Sequence, residues 1–266
     1  MIPAIGMGTY RLKGQEVIDA VTSALKLGYR HIDTAQVYGN EAEVGQAIKQ
    51  SGVPRGEIFL TTKVWTDRFK HDDLLKSLEE SLGKLGTDYV DLALIHWPSP
   101  DDEVDMAEYI GALNEAREKG LTKNIGVSNF TNAQLDRALA LPGGDNIITN
   151  QVEVHPFLAN RKVVDHCESK GIKVTGYMPL AVGKVMEDET LKAIAEEYGV
   201  TPAQVALAWV YSRDVVVIPS STKPDHQKAN LEAIKLSLSA DAMTRIDGLD
   251  RGERIANPDF APQWDE

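Results

Sequence analysis

Two patterns of hydrophobic and polar positions alternate along the whole chain. Short apolar or β-branched runs are each followed by a longer segment in which apolar residues recur at helical spacing. Continuous short runs are typical of buried parallel strands, and the longer segments are typical of amphipathic helices. The pattern therefore predicts an α/β protein in which strands and helices alternate.

Eight strands are predicted, and each is followed by helix. The strands are predicted at residues 4–7, 30–33, 58–63, 90–95, 123–127, 147–152, 172–177 and 215–218. The helices are predicted near residues 15–27, 41–50, 72–85, 106–119, 132–140, 161–170, 188–198, 202–212 and 225–234. Thr131 and Thr201 are expected to be helix N-caps, with Pro202 at the first helical position.

The order of these elements favours one architecture. Strands that alternate with helices form parallel sheet with right-handed crossovers. Eight such units in 266 residues fit a closed (β/α)8 TIM barrel better than an open sheet. Because no change of composition, flexible linker or internal repeat divides the chain, we predict a single domain over residues 1–266.

Composition and charge exclude some classes of protein. The chain carries 40 acidic and 28 basic residues, a net charge of −12, so a nucleic-acid partner is not expected. Cys167 is the single cysteine, and no internal disulfide can form. No apolar run approaches the roughly 20 residues of a membrane span, and no signal peptide is recognisable. We expect a cytoplasmic protein, monomeric because no coiled-coil seam or interface is evident, with a small molecule as its partner.

Polar residues stand at the ends of three consecutive predicted strands, where barrels of this kind carry their active sites. Asp33 ends the second strand, Lys63 ends the third, and His96 follows the fourth. Tyr38 lies in the loop just after Asp33. Taken singly, each has an ordinary explanation as a cap, a solvated charge or a satisfied hydrogen bond. Together, four polar groups from adjacent strands predict a shared site.

The four groups suit proton delivery. A free tyrosine has a pKa of about 10, and a nearby ammonium lowers that pKa by stabilising the phenolate. Asp33 would hold the Lys63 ammonium in place, and a neutral His96 could orient a substrate oxygen. Tyr38 is therefore expected to donate the proton. Since none of the four is a hydride source, a reduction would need a cofactor. No metal is expected, because the six histidines lack ligand spacing.

Two segments resemble the signatures of the aldo-keto reductase family. Residues 28–35 (Gly-Tyr-Arg-His-Ile-Asp-Thr-Ala), followed by Glu41 and then Val-Gly at 44–45, resemble the signature around the second strand. Residues 125–130 (Ile-Gly-Val-Ser-Asn-Phe) resemble the second signature, and the resemblance extends over essentially the whole chain. It implies a carbonyl reductase with a catalytic tetrad, which consists of Asp33, Tyr38, Lys63 and His96.

The resemblance also implies NADPH, bound in extended form across the barrel mouth. Ser128, Asn129 and Gln151 match the positions that hold the nicotinamide carboxamide, and Tyr177 matches the aromatic ring that stacks on the nicotinamide. The full set of cofactor positions implied is Gly6, Thr9, Tyr10, Asp33, Ser128, Asn129, Gln151, Tyr177, Ser220, Ser221, Thr222, Lys223, His226 and Asn230.

One stretch departs from the family pattern. The third signature usually reads Ile-Pro-Lys-Ser, with an Arg five residues after that Ser, and its cations hold the 2′-phosphate of NADPH. Here Ser220 and His226 stand at the two cationic positions, and Lys223 and Lys228 are the nearby replacements. NADPH is expected with NADH as the weaker alternative, and the preference is expected to be modest.

The substrate pocket is predicted to be small and aromatic. Its predicted residues are Tyr10, Tyr38, Trp65, His96, Trp97 and Trp264, with Trp264 facing the other aromatic residues from the C-terminal tail. Residues 95–100, 217–223 and 261–265 resemble those of bacterial family members that reduce methylglyoxal and 2,5-diketo-D-gluconate. Small activated aldehydes and dicarbonyls are therefore the expected substrates.

Three other hypotheses are compatible with parts of the sequence. A Rossmann domain is rejected, because the Gly-x-Gly at residues 6–8 lacks the third glycine and the acidic ribose partner. One open alternative is a broad-specificity detoxifying aldehyde reductase without a dominant substrate. A more remote one is a non-catalytic, nicotinamide-binding regulatory subunit on the same fold.

Overall fold

Eight strands form one sheet whose order follows the chain. In the computed structural model, which describes residues 1–266, each strand is hydrogen-bonded to the next in sequence, and every pair is parallel. The strands are β1 Met7–Gly8, β2 His31–Asp33, β3 Phe59–Val64, β4 Val90–Ile95, β5 Thr122–Ser128, β6 Ile147–Glu153, β7 Lys173–Tyr177 and β8 Val216–Val217. The predicted alternation of strands with helices is confirmed.

Ten α-helices connect and follow the strands. They are α1 Gly14–Leu27, α2 Glu41–Ser51, α3 His71–Leu85, α4 Met106–Glu118, α5 Asn132–Leu139, α6 Arg161–Ser169, α7 Glu189–Tyr198, α8 Pro202–Ser212, α9 Pro224–Ala233 and α10 Ala240–Asp247. The first nine correspond to predicted helices. Helix α10 was not predicted, because it is short and buries only Ala242 and Ile246. None of the helices is both long and apolar enough to span a membrane.

The first predicted strand differs most from the structure. Strand β1 covers Met7–Gly8 instead of residues 4–7, because the residues before it pair with the far edge of the sheet. Val217 N–H donates to Ala4 O (3.1 Å), and Gly6 N–H donates to Val217 O (2.8 Å). Gly8 N–H also donates to Pro219 O at 3.0 Å. The N-terminal segment is therefore hydrogen-bonded to both β2 and the β8 edge.

The sheet curls, and its two faces bury different clusters. Ala93 and Ile95 of β4 belong to the large core that the helices cover. Leu92 and Leu94 of the same strand instead form a small cluster with Ile2 and with Val216 of β8. Because β4 and β8 lie four places apart in the sheet, this shared cluster requires the strands to bend round a common interior.

Two predicted caps are confirmed as capping boxes. Thr131 Oγ1 accepts from Gln134 N–H at 3.2 Å, and Gln134 Oε1 accepts from Thr131 N–H at 3.0 Å. Thr201 and Gln204 form the same reciprocal pair at the start of α8. Each box satisfies N–H groups that the first helical turn leaves without partners, so the helix begins at a defined residue.

Candidate active site

A cavity of about 980 Å³ opens where the strands end at their carboxyl sides. It is lined by the loops after several strands and by residues of the C-terminal segment. Asp33, Tyr38 and His96 all line it. The structure therefore brings the predicted strand-end residues to one place, as expected from parallel strands whose carboxyl ends share one edge.

The Lys63 ammonium joins the predicted proton-delivery groups. Lys63 lies in β3, and its Nζ donates to Asp33 Oδ1 (2.5 Å), to the Thr34 carbonyl (3.1 Å) and to the Tyr38 hydroxyl (3.1 Å). Its three N–H donors are all used, so its orientation is fixed. Lys63 and Asp33 are each only 1% exposed. A buried charge at this depth needs such a partner, which Asp33 provides.

Burial and charge act in opposite directions on these groups. Burial disfavours the Lys63 ammonium, but Asp33 and Tyr38 outweigh burial and raise the pKa of Lys63. For Tyr38, burial raises the pKa above its ordinary value of 10, and Lys63 opposes this with a smaller lowering. The expected net lowering of the Tyr38 pKa is therefore wrong, although Lys63 acts in the expected direction. The phenol is held in its protonated form at neutral pH.

His96 lies directly after β4 with its ring among aromatic neighbours. The ring centroids of His96 and Tyr38 are 5.8 Å apart, and those of His96 and Trp65 are 5.1 Å apart, both edge to face. Burial lowers the pKa of His96 well below 6.5, and the positive charge of Lys63 lowers it further. The imidazole is therefore neutral. Its Nδ1 is buried and forms no hydrogen bond within the protein.

The loop that carries Tyr38 is fixed by a residue that the sequence did not single out. Asn40 is fully buried, and its Nδ2 donates to the carbonyls of Thr9 (2.9 Å) and Leu12 (3.0 Å). Its Oδ1 accepts from Thr34 Oγ1 at 2.6 Å. Asn40 thus ties the loop after β1 to the loop after β2. The only signal in the sequence was an Asn directly before a helix, which ordinarily indicates a cap.

A row of side chains joined by hydrogen bonds runs along the cavity. It consists of Ser128, Asn129, Gln151 and Tyr177. Tyr177 Oη donates to Asn129 Oδ1 (2.7 Å), and Asn129 Nδ2 donates to Ser128 Oγ (3.3 Å). Gln151 Nε2 donates to Asp33 Oδ2 at 2.9 Å, which links the row to the Lys63 cluster. Amide and hydroxyl groups in this arrangement fit a carboxamide as ligand, since they supply both donors and acceptors.

The residues predicted for the phosphate end of the cofactor divide into two groups. Ser220, Ser221, His226 and Asn230 line the cavity, as do Thr9 and Tyr10 near the first loop. Thr222 and Lys223 are exposed and do not line it, and the same holds for Lys228.

Gly6 does not line the cavity either. Its N–H is bonded to Val217, and a Cβ on Gly6 would lie 2.7 Å from the His31 ring. Gly6 is therefore required for close packing at the start of the sheet.

Three aromatic side chains form one wall of the cavity. Phe260 packs edge to face against Trp65 (5.7 Å between ring centroids) and against Trp97 (5.4 Å). Trp264 was expected to face the cavity, but it does not line it. Trp264 packs on Trp97 at 5.9 Å, and its Nε1 donates to Asn257 Oδ1. The tail folds so that Phe260, which was not predicted, takes the position expected for Trp264.

A buried carboxylate holds the C-terminal segment over the cavity. Glu153 ends β6 and is 0% exposed, and its oxygens accept from the N–H groups of Ile255 (2.9 Å) and Ala256 (2.8 Å). His155 Nε2 lies 2.7 Å from the same carboxylate. Ile255, Ala256 and Phe260 then line the cavity. The sequence signal was an acidic residue at a strand end, the same signal that indicated Asp33.

The Aldo/keto reductase family model matches residues 4–251 of this sequence. The chain belongs to this family and is an oxidoreductase. Reductases of the family use nicotinamide cofactors. The resemblance seen in the sequence is thereby confirmed.

Relatives and solved structures cover nearly the whole chain. It is 52% identical to methylglyoxal reductase DkgB of Escherichia coli O157:H7 and 54% identical to that of Yersinia pestis, each over 99% of both chains. A crystal structure of a candidate 2,5-diketo-D-gluconic acid reductase B superimposes with a TM-score of 0.94 at 46% identity, covering 100% of this chain and 94% of that one. MGS-M4, an aldo-keto reductase from a Medee basin deep-sea metagenome library, gives a TM-score of 0.92 at 37% identity, covering 100% and 97%.

Proposed function

We propose that this protein is an NADPH-dependent reductase of small activated aldehydes and dicarbonyls, methylglyoxal and 2,5-diketo-D-gluconate among them. The observation that carries the proposal is the Tyr38 hydroxyl, bonded to the buried Lys63–Asp33 pair beneath a cavity. The names of the relatives support the substrate class.

We further propose that residues 1–266 form one domain, a closed (β/α)8 barrel. The hydrogen bonds between the N-terminal segment and β8 support closure.

The cavity fits a nicotinamide cofactor by the chemistry of its lining groups. Ser128, Asn129 and Gln151 would hold the carboxamide, and the half-buried Tyr177 would lie against the nicotinamide ring. Ser220, Ser221 and Asn230 would lie beside the phosphates. When bound, the cofactor supplies a hydride to the carbonyl carbon.

The residues of this chain would supply the proton that completes the reduction. Tyr38 donates its hydroxyl proton to the carbonyl oxygen, and the oxygen becomes the alcohol. Lys63 stabilises the phenolate that remains, and Asp33 keeps Lys63 charged and oriented. The neutral His96 hydrogen-bonds the carbonyl oxygen and fixes the direction from which Tyr38 meets it. The hydrogen bonds that join Asp33, Lys63 and Tyr38 support these roles, and they favour an enzyme over a non-catalytic binding subunit.

A substrate panel tests the proposed function. With NADPH, we expect methylglyoxal and 2,5-diketo-D-gluconate to give kcat/KM values at least about tenfold above those of unactivated ketones and steroids. The aromatic wall of Trp65, Trp97 and Phe260 leaves a compact site, and adjacent oxygens make a carbonyl electron-poor. A steroid ranking first would contradict the substrate class, and a flat ranking over many aldehydes would favour a broad detoxifying reductase. Absence of NADPH consumption with every reactive aldehyde would favour the binding subunit.

A second experiment tests the cofactor preference. Ser220 and His226 line the cavity where the family usually has cations, so the preference for NADPH over NADH is expected to be modest. The double substitution Ser220→Lys, His226→Arg should raise the NADPH/NADH ratio of kcat/KM about five- to tenfold. The two new cations would each pair with the 2′-phosphate, and two partly exposed ion pairs together contribute on the order of 1 kcal/mol. Placing Gln at both positions is the uncharged control. An unchanged ratio in the charged variant would mean that the 2′-phosphate lies elsewhere.

A further inference from the structure

One cation at the mouth of the cavity has no role in the proton-delivery cluster. Of all the residues that line the cavity, Arg11 is the only lysine or arginine. It is exposed and forms no salt bridge, although the chain carries 40 acidic residues. Its guanidinium lies over the Tyr10 ring, 5.0 Å from the centroid. Arg11 is therefore a charge available to a ligand.

The backbone that carries this side chain is held in a defined place. Arg11 has a φ of 67°, in the left-handed region that few residues other than glycine adopt. The turn is closed on both sides, because the buried Asn40 binds the carbonyls of Thr9 and Leu12. Leu12 N–H also donates to Thr9 O at 3.1 Å. The turn therefore fixes the point from which the Arg11 side chain extends toward the site.

The turn places the guanidinium close to the proton donor. The Arg11 guanidinium lies 5.0 Å from the centroid of the Tyr10 ring, and that centroid is 5.2 Å from the centroid of the Tyr38 ring. A ligand whose carbonyl oxygen reached Tyr38 would thus have Arg11 one aromatic ring away. A substrate with a second polar group several bonds from its reacting carbonyl could contact both residues.

The charge of the cavity favours an anion at that second position. Asp33 is the only acidic residue in the lining, and Lys63 and Gln151 already pair its two oxygens. Arg11 is therefore uncompensated, in a protein whose net charge of −12 repels anions. A local cation at the entrance overcomes that repulsion for an anionic substrate and does little for a neutral one.

We propose that Arg11 binds the carboxylate of acidic dicarbonyl substrates and so determines the preference between acidic and neutral substrates. The inference rests on the proposed reductase function. Sugar acids of the 2,5-diketo-D-gluconate kind have the required chemistry, because they carry a carboxylate and a distant second carbonyl. Methylglyoxal lacks the carboxylate and cannot use Arg11 in this way. The same cation could also attract the diphosphate of the cofactor, so the experiment separates the two anions.

The test compares three variants on two substrates with saturating NADPH. Arg11→Gln removes the charge, Arg11→Lys keeps it, and Lys26→Gln removes a matched exposed charge on α1, outside the cavity lining. Arg11→Gln should lower the ratio of kcat/KM for 2,5-diketo-D-gluconate to that for methylglyoxal about tenfold, mainly through KM. Arg11→Lys should retain most of the ratio, and Lys26→Gln should retain all of it. Added NaCl should lower the ratio in the unsubstituted protein and have little effect on it in Arg11→Gln.

Binding of NADPH, measured by tryptophan fluorescence without substrate, is the separate readout. The Kd for NADPH should change less than about twofold in Arg11→Gln. An unchanged substrate ratio would overturn the proposal. A weakened NADPH Kd with equal losses on both substrates would overturn it in favour of the diphosphate. If the unsubstituted protein reduced neither substrate, the proposed reductase function itself would fail. If it reduced both substrates but the ratio did not depend on Arg11, only the role proposed for Arg11 would fail.

Discussion

Replacing Tyr38 by Phe is expected to lower kcat for methylglyoxal about 10²–10⁴-fold, the usual cost of losing a general acid. The substitution removes only the hydroxyl to which Lys63 donates, and it leaves the ring packed against Tyr10 and His96. Fluorescence titration should therefore give an NADPH Kd close to that of the unsubstituted protein. Steady-state kinetics supply kcat.

The matched control for Tyr38→Phe is Tyr10→Phe. Tyr10 lines the same cavity, but its hydroxyl forms no hydrogen bond with Lys63, whose three donors go to Asp33, Thr34 and Tyr38. We expect Tyr10→Phe to change kcat far less than Tyr38→Phe. A Tyr38→Phe enzyme that reduced methylglyoxal at near-normal kcat would show that another group delivers the proton.

Replacing Lys63 by Met is expected to impair both catalysis and stability. The Asp33 carboxylate would remain buried without its cation, and breaking a buried pair in this way costs about 3–5 kcal/mol of the free energy of unfolding. The Tyr38 hydroxyl would also lose the charge that stabilises its phenolate, so kcat should fall severely as well. Denaturant unfolding and steady-state kinetics measure the two effects separately.

A second substitution distinguishes the two roles of Lys63. In the double variant Lys63→Met, Asp33→Asn, the unpaired charge is removed, so much of the lost stability should return while kcat stays low. If kcat returned together with stability, Lys63 would act only by holding the fold. If Lys63→Met alone left the free energy of unfolding unchanged, the buried ion pair would not have the energetic importance assigned to it.

The elements and the location of the site could be predicted because both follow from local patterns. Hydrophobic periodicity fixes which face of a segment is buried, and it placed nine of the ten helices. Parallel strands bring their carboxyl ends to one edge, so Asp33, Lys63 and His96 could be grouped without coordinates. Residues at the end of a strand have little freedom, and their relative positions follow from the strand order.

Features that depend on tertiary packing could not be predicted in the same way. The path of the C-terminal tail decides that Phe260, and not Trp264, lines the cavity, and no periodic pattern describes that tail. The net pKa of Tyr38 depends on how deeply the ring is buried, whereas the sequence indicated only the charge beside it. Asn40 bridges loops that are remote along the chain, so its neighbours in sequence give no sign of it.

The anchoring of the tail by Glu153 has an evolutionary consequence. The carboxylate accepts from the main-chain N–H groups of Ile255 and Ala256, and any residue other than proline offers the same donors. Attachment of the tail is thus independent of the side chains that the tail presents to the cavity. Mutations of tail side chains can change which substrates are accepted, while the hydrogen bonds from Glu153 to the tail remain. The same fold can therefore evolve new substrate preferences with little loss of stability.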